Sequence, residues 1–390
     1  MHHLCRKLGI IPRQSTNLAP IESNETEERD WSSLPPEVLN LIAKKISEIS
    51  DFVRFRTVCS SWRSSTPTSD LPPQFPWILE SYRHPYQPDL SFYSIPSNKI
   101  YNINAPRHLD KWLFRPLEGY MHARLFYPSD QDVFDPFNHR LSLLNPLNKH
   151  EIPLPVYDFF GGLHYWIGPR QNEISQYVVC DRHARYHNPR LISWHLGQDK
   201  WCESNLDSDL ANCEYFYLKH MLFNVERDTG VTKVVDIATG TLVYVIPPIE
   251  GYSEEATQYI VEASGDILGV IWKRRSENRS EWFSDRLFDG QFDVYRLDVH
   301  KTGSPCWVKV TSIGDHALFI DSYGTLILRS NDFSMIERNS IYFYGIKNMG
   351  IHEQPSYMVK RMDIETGALE HLPCPLRKPG YWFVPTLHHI

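Results

Sequence analysis

Several side chains of this sequence belong to types that do chemistry when they meet in space. Cys180, His183 and His187 lie close together in the chain, and thiolates and imidazoles are ligands that zinc prefers. The sequence offers no second set of ligands at similar spacing, and a few Cys and His side chains on one polar segment are usually solvated. We therefore predict no metal ion and no cofactor.

Acidic pairs and catalytic signatures lead to a similar prediction. Glu254 and Glu255 could in principle serve as the two carboxylates of a glycosidase, but adjacent acids on a loop are usually just hydrated. The sequence contains no Gly-x-x-x-x-Gly-Lys loop, no Gly-x-Ser-x-Gly elbow and no His-Glu-x-x-His pair. We predict that the chain has no catalytic residue and is not an enzyme.

The first elements that position side chains are helical. Leu34-Pro35-Pro36-Glu37 places proline in the first helical turn, where its missing N–H costs nothing, and an acid at the positive end of the helix dipole. Apolar residues then recur three and four positions apart, which predicts one amphipathic helix. Its apolar stripe consists of Leu39, Ile42, Ile46 and Ile49.

A second short helix is predicted after Ser50 and Asp51, which can cap its first turn. Phe55, Val58 and Trp62 again lie three and four positions apart. Two such helices bury too little apolar surface to be stable alone, so their stripes must be covered by the rest of the chain or by another protein. Periodicity alone favours the first arrangement, a helical hairpin packed on its own domain.

The remainder of the chain is rich in strand patterns. From about Phe92 onward, short β-branched and aromatic runs alternate with turn residues, as at residues 177–180, 242–246, 268–272 and 341–344. Polar turns recur roughly forty to sixty-five residues apart, close to the blade period of kelch-like propellers. We predict a mainly β fold in which an N-terminal helical segment precedes a kelch-like β-propeller; a sandwich of ordinary hairpins is the alternative.

Charge, hydropathy and cysteine usage restrict the function further. The 390 residues carry a net charge of −7, which disfavours binding to nucleic acid through phosphate contacts. No apolar run approaches the eighteen or so residues that span a bilayer, so no membrane partner is expected. Seven scattered cysteines without a Cys-x-x-Cys pair fit a reducing compartment, and we expect the protein in the cytoplasm, the nucleus or both.

These patterns divide the chain into four predicted segments. Residues 1–29 form a disordered leader, residues 30–66 the helical segment, residues 67–90 a proline-rich linker and residues 91–390 the propeller.

The helical segment resembles an F-box. The Leu-Pro opening, the aliphatic stripe and the Val-Cys-x-x-Trp-Arg close occur in the order that F-box proteins show, over more than thirty positions. The resemblance implies docking to a Skp-type adaptor, and through it to cullin and RING subunits, rather than an active site. The positions that match the adaptor-binding motif are Leu34, Pro35, Leu39, Ile42, Ile46, Val58, Cys59, Trp62 and Arg63.

The whole arrangement is similar to a plant F-box family whose C-terminal region is called the domain of unknown function 295, or KIB-type β-propeller. The similarity rests on residues 30–37, 144–147, 152–155 and 307–320. It implies the substrate-recognition subunit of a Skp–cullin–F-box ubiquitin ligase, in which the propeller binds an unknown target protein and the subunit itself is not catalytic.

The target-binding surface is predicted on loops between the blades. The charged segment that begins at Lys273 surrounds Trp282 and Phe283, an aromatic pair with no obvious strand to pack in, so these two side chains are candidates for target binding. A solvated, disordered loop is the alternative for this segment. The alternative function is a propeller that binds or modifies a small ligand such as a glycan, with the F-box vestigial.

Overall fold

The computed structural model describes most of the chain. The described residues are 30–80, 89–104, 109–117, 119–126, 139–155, 163–167, 176–182, 190–205, 213–274, 290–299, 304–321, 324–333, 335–348, 356–376 and 380–387. The chain forms two compact units, Met1–Gln74 and Phe75–Ile390.

The first unit is helical. It contains α1 (Pro36–Ala43), α2 (Ile49–Arg56) and α3 (Ser60–Ser65), with short 3-10 helices at Trp31–Ser33 and Thr68–Asp70. Pro36 occupies the first turn of α1, as the sequence predicts, since proline needs no hydrogen-bond acceptor there.

The prediction of two helices is wrong, since the same residues form three. The first helix ends at Ala43, so Ile46 lies in the connection and Ile49 opens α2. The second ends at Arg56, because Cys59 is extended with a φ of −158° and its Sγ accepts a hydrogen bond from the Trp62 amide. That contact caps a new helix and places Trp62 on α3.

The second unit is built from strands. They are β1 (Trp77–Glu80), β2 (Asp89–Ser94), β3 (Lys99–Asn104), β4 (Leu109–Leu117), β5 (Tyr120–Phe126), β6 (His139–Leu144), β7 (Glu151–Pro153), β8 (Leu163–Ile167), β9 (Gln176–Arg182), β10 (Arg190–His195), β11 (Cys202–Asn205), β12 (Cys213–Leu218), β13 (Met221–Glu226), β14 (Thr232–Asp236), β15 (Leu242–Ile246), β16 (Thr257–Ala263), β17 (Asp266–Arg274), β18 (Gly290–Asp298), β19 (Cys306–Val310), β20 (His316–Asp321), β21 (Gly324–Arg329), β22 (Ser340–Asn348), β23 (Ser356–Asp363), β24 (Leu369–Leu372) and β25 (Gly380–Phe383).

The described strands form six sheets, which we call blades 1 to 6. Blade 1 has the order β25-β1-β2-β3, blades 2 to 5 each take four consecutive strands from β4 to β19, and blade 6 has the order β21-β20-β22-β23-β24. Neighbouring blades meet through strands at one edge of their sheets: β8 adjoins β12, β12 adjoins β16, β16 adjoins β21 and β25 adjoins β4. In addition, β25 adjoins β20, the second strand of blade 6. The predicted fold class, a helical segment followed by a β-propeller, is confirmed.

Blades 4 and 6 share a tight turn that the sequence marks with Thr-Gly. Gly240 and Gly367 each have a φ of +70°, which glycine adopts without steric cost. In blade 4 the carboxylate of Asp236 accepts a hydrogen bond from the Thr239 amide at 3.0 Å. Each such turn returns the chain into the outermost strand of its blade, which fixes the strand register.

Blade 1 is completed by the last strand of the chain. β25 pairs antiparallel with β1, with Trp77 opposite Phe383. Asp321 at the end of β20 supports this strand, because its Oδ2 accepts a hydrogen bond from the Trp382 amide at 3.0 Å. The indole Nε1 of Trp382 donates to the Ile320 carbonyl at 3.1 Å. The C-terminal strand therefore connects blade 6 to blade 1.

The core lies between successive blades. Between blades 5 and 6, alternate residues of β16 and β17 pack against β20 and β22, and the rings of Phe292 and Phe343 lie 4.9 Å apart. Between blades 6 and 1, Phe319 packs edge-on against Trp382 at 4.9 Å. Burial on both faces explains why the central strands read as nearly continuous apolar runs.

The predicted linker, residues 67–90, contains a strand. β1 lies inside it, and Ile78 and Leu79 are buried. The density of prolines around this segment obscured a short apolar run that starts directly after Pro76.

Candidate functional site

The start of the helical unit is fixed by local hydrogen bonds. Asp30 Oδ1 accepts bonds from the Ser32 amide at 3.0 Å and from the Ser32 hydroxyl at 2.6 Å. These bonds lower the pKa of the Asp30 carboxyl below its ordinary value. A charged carboxylate therefore holds the short 3-10 helix that leads into α1.

The inner side of the helical unit is a small apolar core. Its fully buried side chains are Leu39, Ala43, Phe52 and Phe55. The Trp62 ring lies 4.4 Å from the Phe55 ring, and its Nε1 donates a hydrogen bond to the Trp31 carbonyl at 2.9 Å. Trp62 is only 4% exposed, so its main role is to hold the three helices together.

The outer side of α1 is also apolar. Leu41 is 62% exposed and Val38 is 39% exposed, beside the exposed Pro35. Val53 on α2 is likewise exposed. A helix that is apolar on both sides must be covered by something other than its own unit, because one side already packs on the unit's core.

The nine residues that match the adaptor motif are thus distributed over two environments. Leu39, Ile46 and Trp62 are buried, Pro35 and Arg63 are exposed, and Leu34, Ile42, Val58 and Cys59 are half-buried. Sequence reasoning missed Val38 and Leu41, because it followed a single stripe. The missed signal is the run from Val38 to Ala43, in which only Asn40 is polar.

The helical unit also exposes basic side chains. Lys44, Lys45, Arg54 and Arg63 are exposed. The Arg56 guanidinium lies 5.9 Å from the centre of the Phe52 ring, and burial followed by repulsion from Arg63 lowers its pKa below the ordinary value. The helical unit therefore exposes both an apolar patch and basic side chains, of which Arg54 is paired with Asp51 at 2.7 Å.

In the propeller, the candidate target-binding pair Trp282 and Phe283 lies outside the described residues. The charged segment that contains this pair begins at Lys273, which is a described residue and makes a polar contact. Asp293 contacts Lys273 at 3.0 Å and Lys309 at 2.8 Å. These contacts link three neighbouring strands of blade 5, β17, β18 and β19.

The connection from blade 4 to blade 5 leads into the start of β16, where Thr257 pairs with Trp272 of β17. Tyr252 donates a hydrogen bond to the Arg227 carbonyl at 2.9 Å, and Arg227 pairs with Glu214 at 3.3 Å. Gly230 has a φ of +73°, and a Cβ there would lie 2.5 Å from the Tyr252 ring. The connection is therefore packed against blade 4 through Tyr252.

Two ionisable groups of the described core, Cys374 and Tyr344, are held in their protonated forms. Burial raises the pKa of the Cys374 thiol to about 11, and burial raises the pKa of Tyr344 well above its ordinary value. Both groups are protonated at neutral pH, and the thiolate is the nucleophilic form of cysteine. Within the described residues, no three His, Cys, Asp or Glu side chains come together in a way that could hold a metal ion.

Among the described helices, none is long and apolar enough to cross a bilayer.

Comparison with known proteins finds a matching family model for each of the two units. The family model of the KIB1-4 beta-propeller matches residues 92–364, and the F-box domain model matches residues 31–71. Probable F-box protein At4g22060 of Arabidopsis thaliana is 24% identical, with 92% of this chain and 97% of that protein covered. F-box protein SKIP23 of the same plant is 25% identical, with 81% of this chain and 84% of that protein covered.

Among solved structures, the chain matches TolB from Acinetobacter baumannii. Its TM-score is 0.42 at 11% identity, with 79% of this chain and 64% of that chain covered.

Proposed function

We propose, from the premise that this chain belongs to the KIB1-4 β-propeller family and carries an F-box, that it is the substrate-recognition subunit of a Skp–cullin–F-box ubiquitin ligase. The observation that carries this proposal is the apolar outer side of α1. Leu41 at 62% exposure is the most exposed large apolar side chain in the described part of the chain. A monomeric protein rarely leaves such a patch uncovered.

The adaptor contact is assigned to the outer side of the helical unit. Pro35, Val38 and Leu41 supply the apolar centre, with Val53 as a further exposed contact. Leu39 and Trp62 support this surface from below, since both are buried in the unit's own core. Arg63 lies exposed near the rim, where charge tunes association more than affinity.

The propeller is assigned the target. In such a complex the chain makes and breaks no bond, because it holds the target where a charged ubiquitin-conjugating enzyme can reach a lysine, and the rate gain comes from proximity. The cytosol or the nucleus, where cysteines stay reduced, is the compartment that we propose.

Adaptor binding by surface variants tests the proposal. Leu41→Ala should weaken capture of a Skp-type adaptor by about tenfold or more, because truncating a central interface anchor costs about 2 kcal/mol. Affinity is measured by biolayer interferometry with the full chain. The matched control is Leu369→Ala on β24, which removes a similarly exposed leucine from the propeller and should leave adaptor affinity unchanged.

Two results would contradict the assignment. One is a full chain that fails to bind any Skp-type adaptor while α1 to α3 stay folded. The other is an equal loss of affinity in Leu41→Ala and Leu369→Ala, since that result would not locate the contact on α1.

A further inference from the structure

A serine, a histidine and an aspartate meet where a hairpin of blade 5 contacts blade 6. The Ser264 Oγ lies 3.3 Å from Nε2 of His316, and Nδ1 of the same ring lies 3.0 Å from Oδ1 of Asp315. Serine nucleophiles are activated by this combination of a hydroxyl, an imidazole base and a carboxylate that orients the base. The combination is recognised by its geometry and not by the order of the residues in the chain.

The contacts of His316 determine which of its ring nitrogens carries the proton. Nδ1 lies 3.2 Å from the Ile313 carbonyl as well as beside the Asp315 carboxylate, and both of these groups can only accept. In the neutral ring the proton is therefore on Nδ1, which leaves Nε2 as an acceptor. The Ser264 hydroxyl then donates to Nε2, as it must if the histidine is to take its proton.

The imidazole and the carboxylate are held in place by blade 6. His316 is the first residue of β20 and is only 6% exposed. The Asp315 carbonyl accepts a hydrogen bond from the Ser330 amide at 2.7 Å, and its Oδ2 accepts one from Asn331 Nδ2 at 3.2 Å. Both donors belong to the short 3-10 helix Ser330–Asp332, so the base and its orienting group lie on a fixed element.

Ser264 itself is exposed and lies in a strained turn. Together with Gly265 it forms the two-residue connection between β16 and β17, and the two residues have φ values of +47° and +95°. Such turns favour asparagine, aspartate and glycine, so a serine with a positive φ is strained. Strain of this kind is often stored at functional sites.

The turn offers space and hydrogen-bond donors to a reacting group. A Cβ added to Gly265 would have no heavy atom within 4 Å other than those of its chain neighbours, so the surface next to Ser264 is open. In the described part of the chain, no acceptor binds the amides of Ser264 and Gly265. Backbone amides beside the hydroxyl are the donors that stabilise the oxyanion formed during acyl transfer.

We propose that Ser264 is a nucleophile with His316 as its general base, and that this site hydrolyses small acyl esters. The Ser264 Oγ forms a bond to the acyl carbon while its proton passes to Nε2 of His316. The bond to the alcohol breaks, and the alcohol leaves with that proton. Water then attacks the acyl-serine, with His316 again taking and returning a proton. The products are an alcohol and a carboxylic acid, so no other reactant is needed.

A positive charge near the histidine indicates the kind of ester. Arg329 lies directly opposite His316 in the pairing of β20 with β21, so the two side chains lie on the same face of blade 6. Arg329 is exposed, and it makes no ion pair with a described residue. The preferred substrate is therefore an acyl ester that carries a negatively charged group.

The inference goes beyond the proposed function and concerns a different part of the chain. It differs from the prediction that the chain has no catalytic residue, because Ser264 and His316 are 52 residues apart and no local motif connects them. An outcome that overturns it leaves the adaptor contact on α1 unaffected.

Labelling by a fluorophosphonate probe, which reacts with activated serines, tests the nucleophile. The full chain is labelled and digested, and mass spectrometry locates the modified residue, which we expect to be Ser264. Ser264→Gly should abolish the labelling and keep the melting temperature, because glycine adopts a positive φ without steric cost. Ser253→Gly is the matched control, since it makes the same change at another exposed serine in a turn, and it should leave the labelling unchanged.

Hydrolysis of p-nitrophenyl acetate by the full chain tests the base. His316→Gln should slow the reaction by about 100-fold or more, since a general base contributes about 10²–10⁴-fold. The rate of the parent should rise between about pH 5 and pH 8, as a histidine base loses its proton. The charged side chains placed beside the ring are Asp315 and Arg329. The rise should be absent from Ser264→Gly.

A second ester tests the substrate class. p-Nitrophenyl hemisuccinate has the same leaving group as the acetate but adds a carboxylate, so the parent should hydrolyse it faster. Arg329→Gln should remove this preference and leave the rate on the acetate unchanged.

Four results would overturn the inference. They are a parent that the probe does not label at Ser264, a Ser264→Gly variant as active as the parent, a His316→Gln variant with the rate and melting temperature of the parent, and a parent with equal rates on the two esters. His316 is buried, so Ser264→Gly decides the test if His316→Gln unfolds. A lower melting temperature of Ser264→Gly, without labelling of the parent, would show that the contact only connects blades 5 and 6.

Discussion

At the scale of single residues, the Asp293 carboxylate stabilises blade 5 through its contacts with Lys273 and Lys309. Burial alone would raise the pKa of Asp293, but the hydrogen bonds from Lys309 and Lys273 outweigh burial and hold that pKa below its ordinary value. The hydrogen bond to Asp293 is also the main reason that the pKa of Lys309 is raised. The three side chains therefore stabilise blade 5 only while all are charged.

This arrangement predicts a pH dependence with a definite sign. A carboxyl group whose pKa is lowered in the folded state stabilises the protein above its unfolded pKa of about 3.9, and the effect is lost as the pH falls through the folded pKa. Asp293→Asn should lower the free energy of unfolding at neutral pH by about 1 kcal/mol, because both lysines are partly exposed and solvent screens the contact. The difference from the parent should begin to shrink as the pH falls below about 4 and should disappear below the folded pKa of Asp293.

Thermal unfolding followed by circular dichroism over this pH range measures the effect. Asp266→Asn is the control, since Asp266 is well exposed and its ion pair with Arg296 is long, at 3.9 Å. A difference between Asp293→Asn and the parent that stays constant with pH would show that charge is not the cause.

At the scale of elements, the sequence was most informative where one physical signal dominates. Pro35 and Pro36 predicted the start of α1, and the apolar run 242–246 predicted β15 with its observed bounds. The helix ends were harder to predict, because Ile46, Ile49, Val58 and Trp62 keep helical spacing across two breaks.

The candidate site was predicted less completely than the elements. Which face of α1 packs inward depends on α2 and α3, so the sequence could not distinguish the buried Leu39 from the exposed Leu41. The strand order of blade 6 was not predicted, for a related reason. β20 and β22 pair in parallel across the inserted β21, and no local sequence signal marks a parallel neighbour.

The packing of α3 predicts a clear separation between folding and binding. Trp62→Ala should destabilise the helical unit by about 3–5 kcal/mol, because it leaves a cavity beside Phe55 and removes the bond to the Trp31 carbonyl. Hydrogen exchange of the full chain should then be faster in α1 to α3. Leu41→Ala is the matched control, since its side chain is exposed, and exchange in the three helices should stay near that of the parent. Unchanged protection in Trp62→Ala would mean that Trp62 is not the centre of this core.

At the scale of the whole molecule, the propeller depends on a strand from the end of the chain. A variant that lacks residues 377–390 loses β25, which exposes the edge of β1 and removes the partner of the Asp321 carboxylate. We expect this variant to aggregate or to melt at least about 10 °C lower, since an unpaired central edge and a lost core layer act together. Light scattering during a thermal melt measures both effects.

A shorter truncation is the control. Removing residues 388–390 keeps β25 and its partners, so it should behave like the parent. A soluble product without residues 377–390 that melts at the parent's temperature would show that β25 is dispensable for closure.

The pairing of β25 with β1 also determines when the propeller can close during synthesis. Trp77 and Phe383 face each other but are separated by 306 residues of chain. At about 5–20 residues per second, β1 leaves the ribosome roughly 15 to 60 s before its partner exists. The helical segment is complete before that interval begins, whereas the edge of β1 in blade 1 has no partner strand during the whole interval. A newborn chain can therefore engage a docking partner before it can finish its propeller, and the edge of β1 stays unpaired until β25 is made.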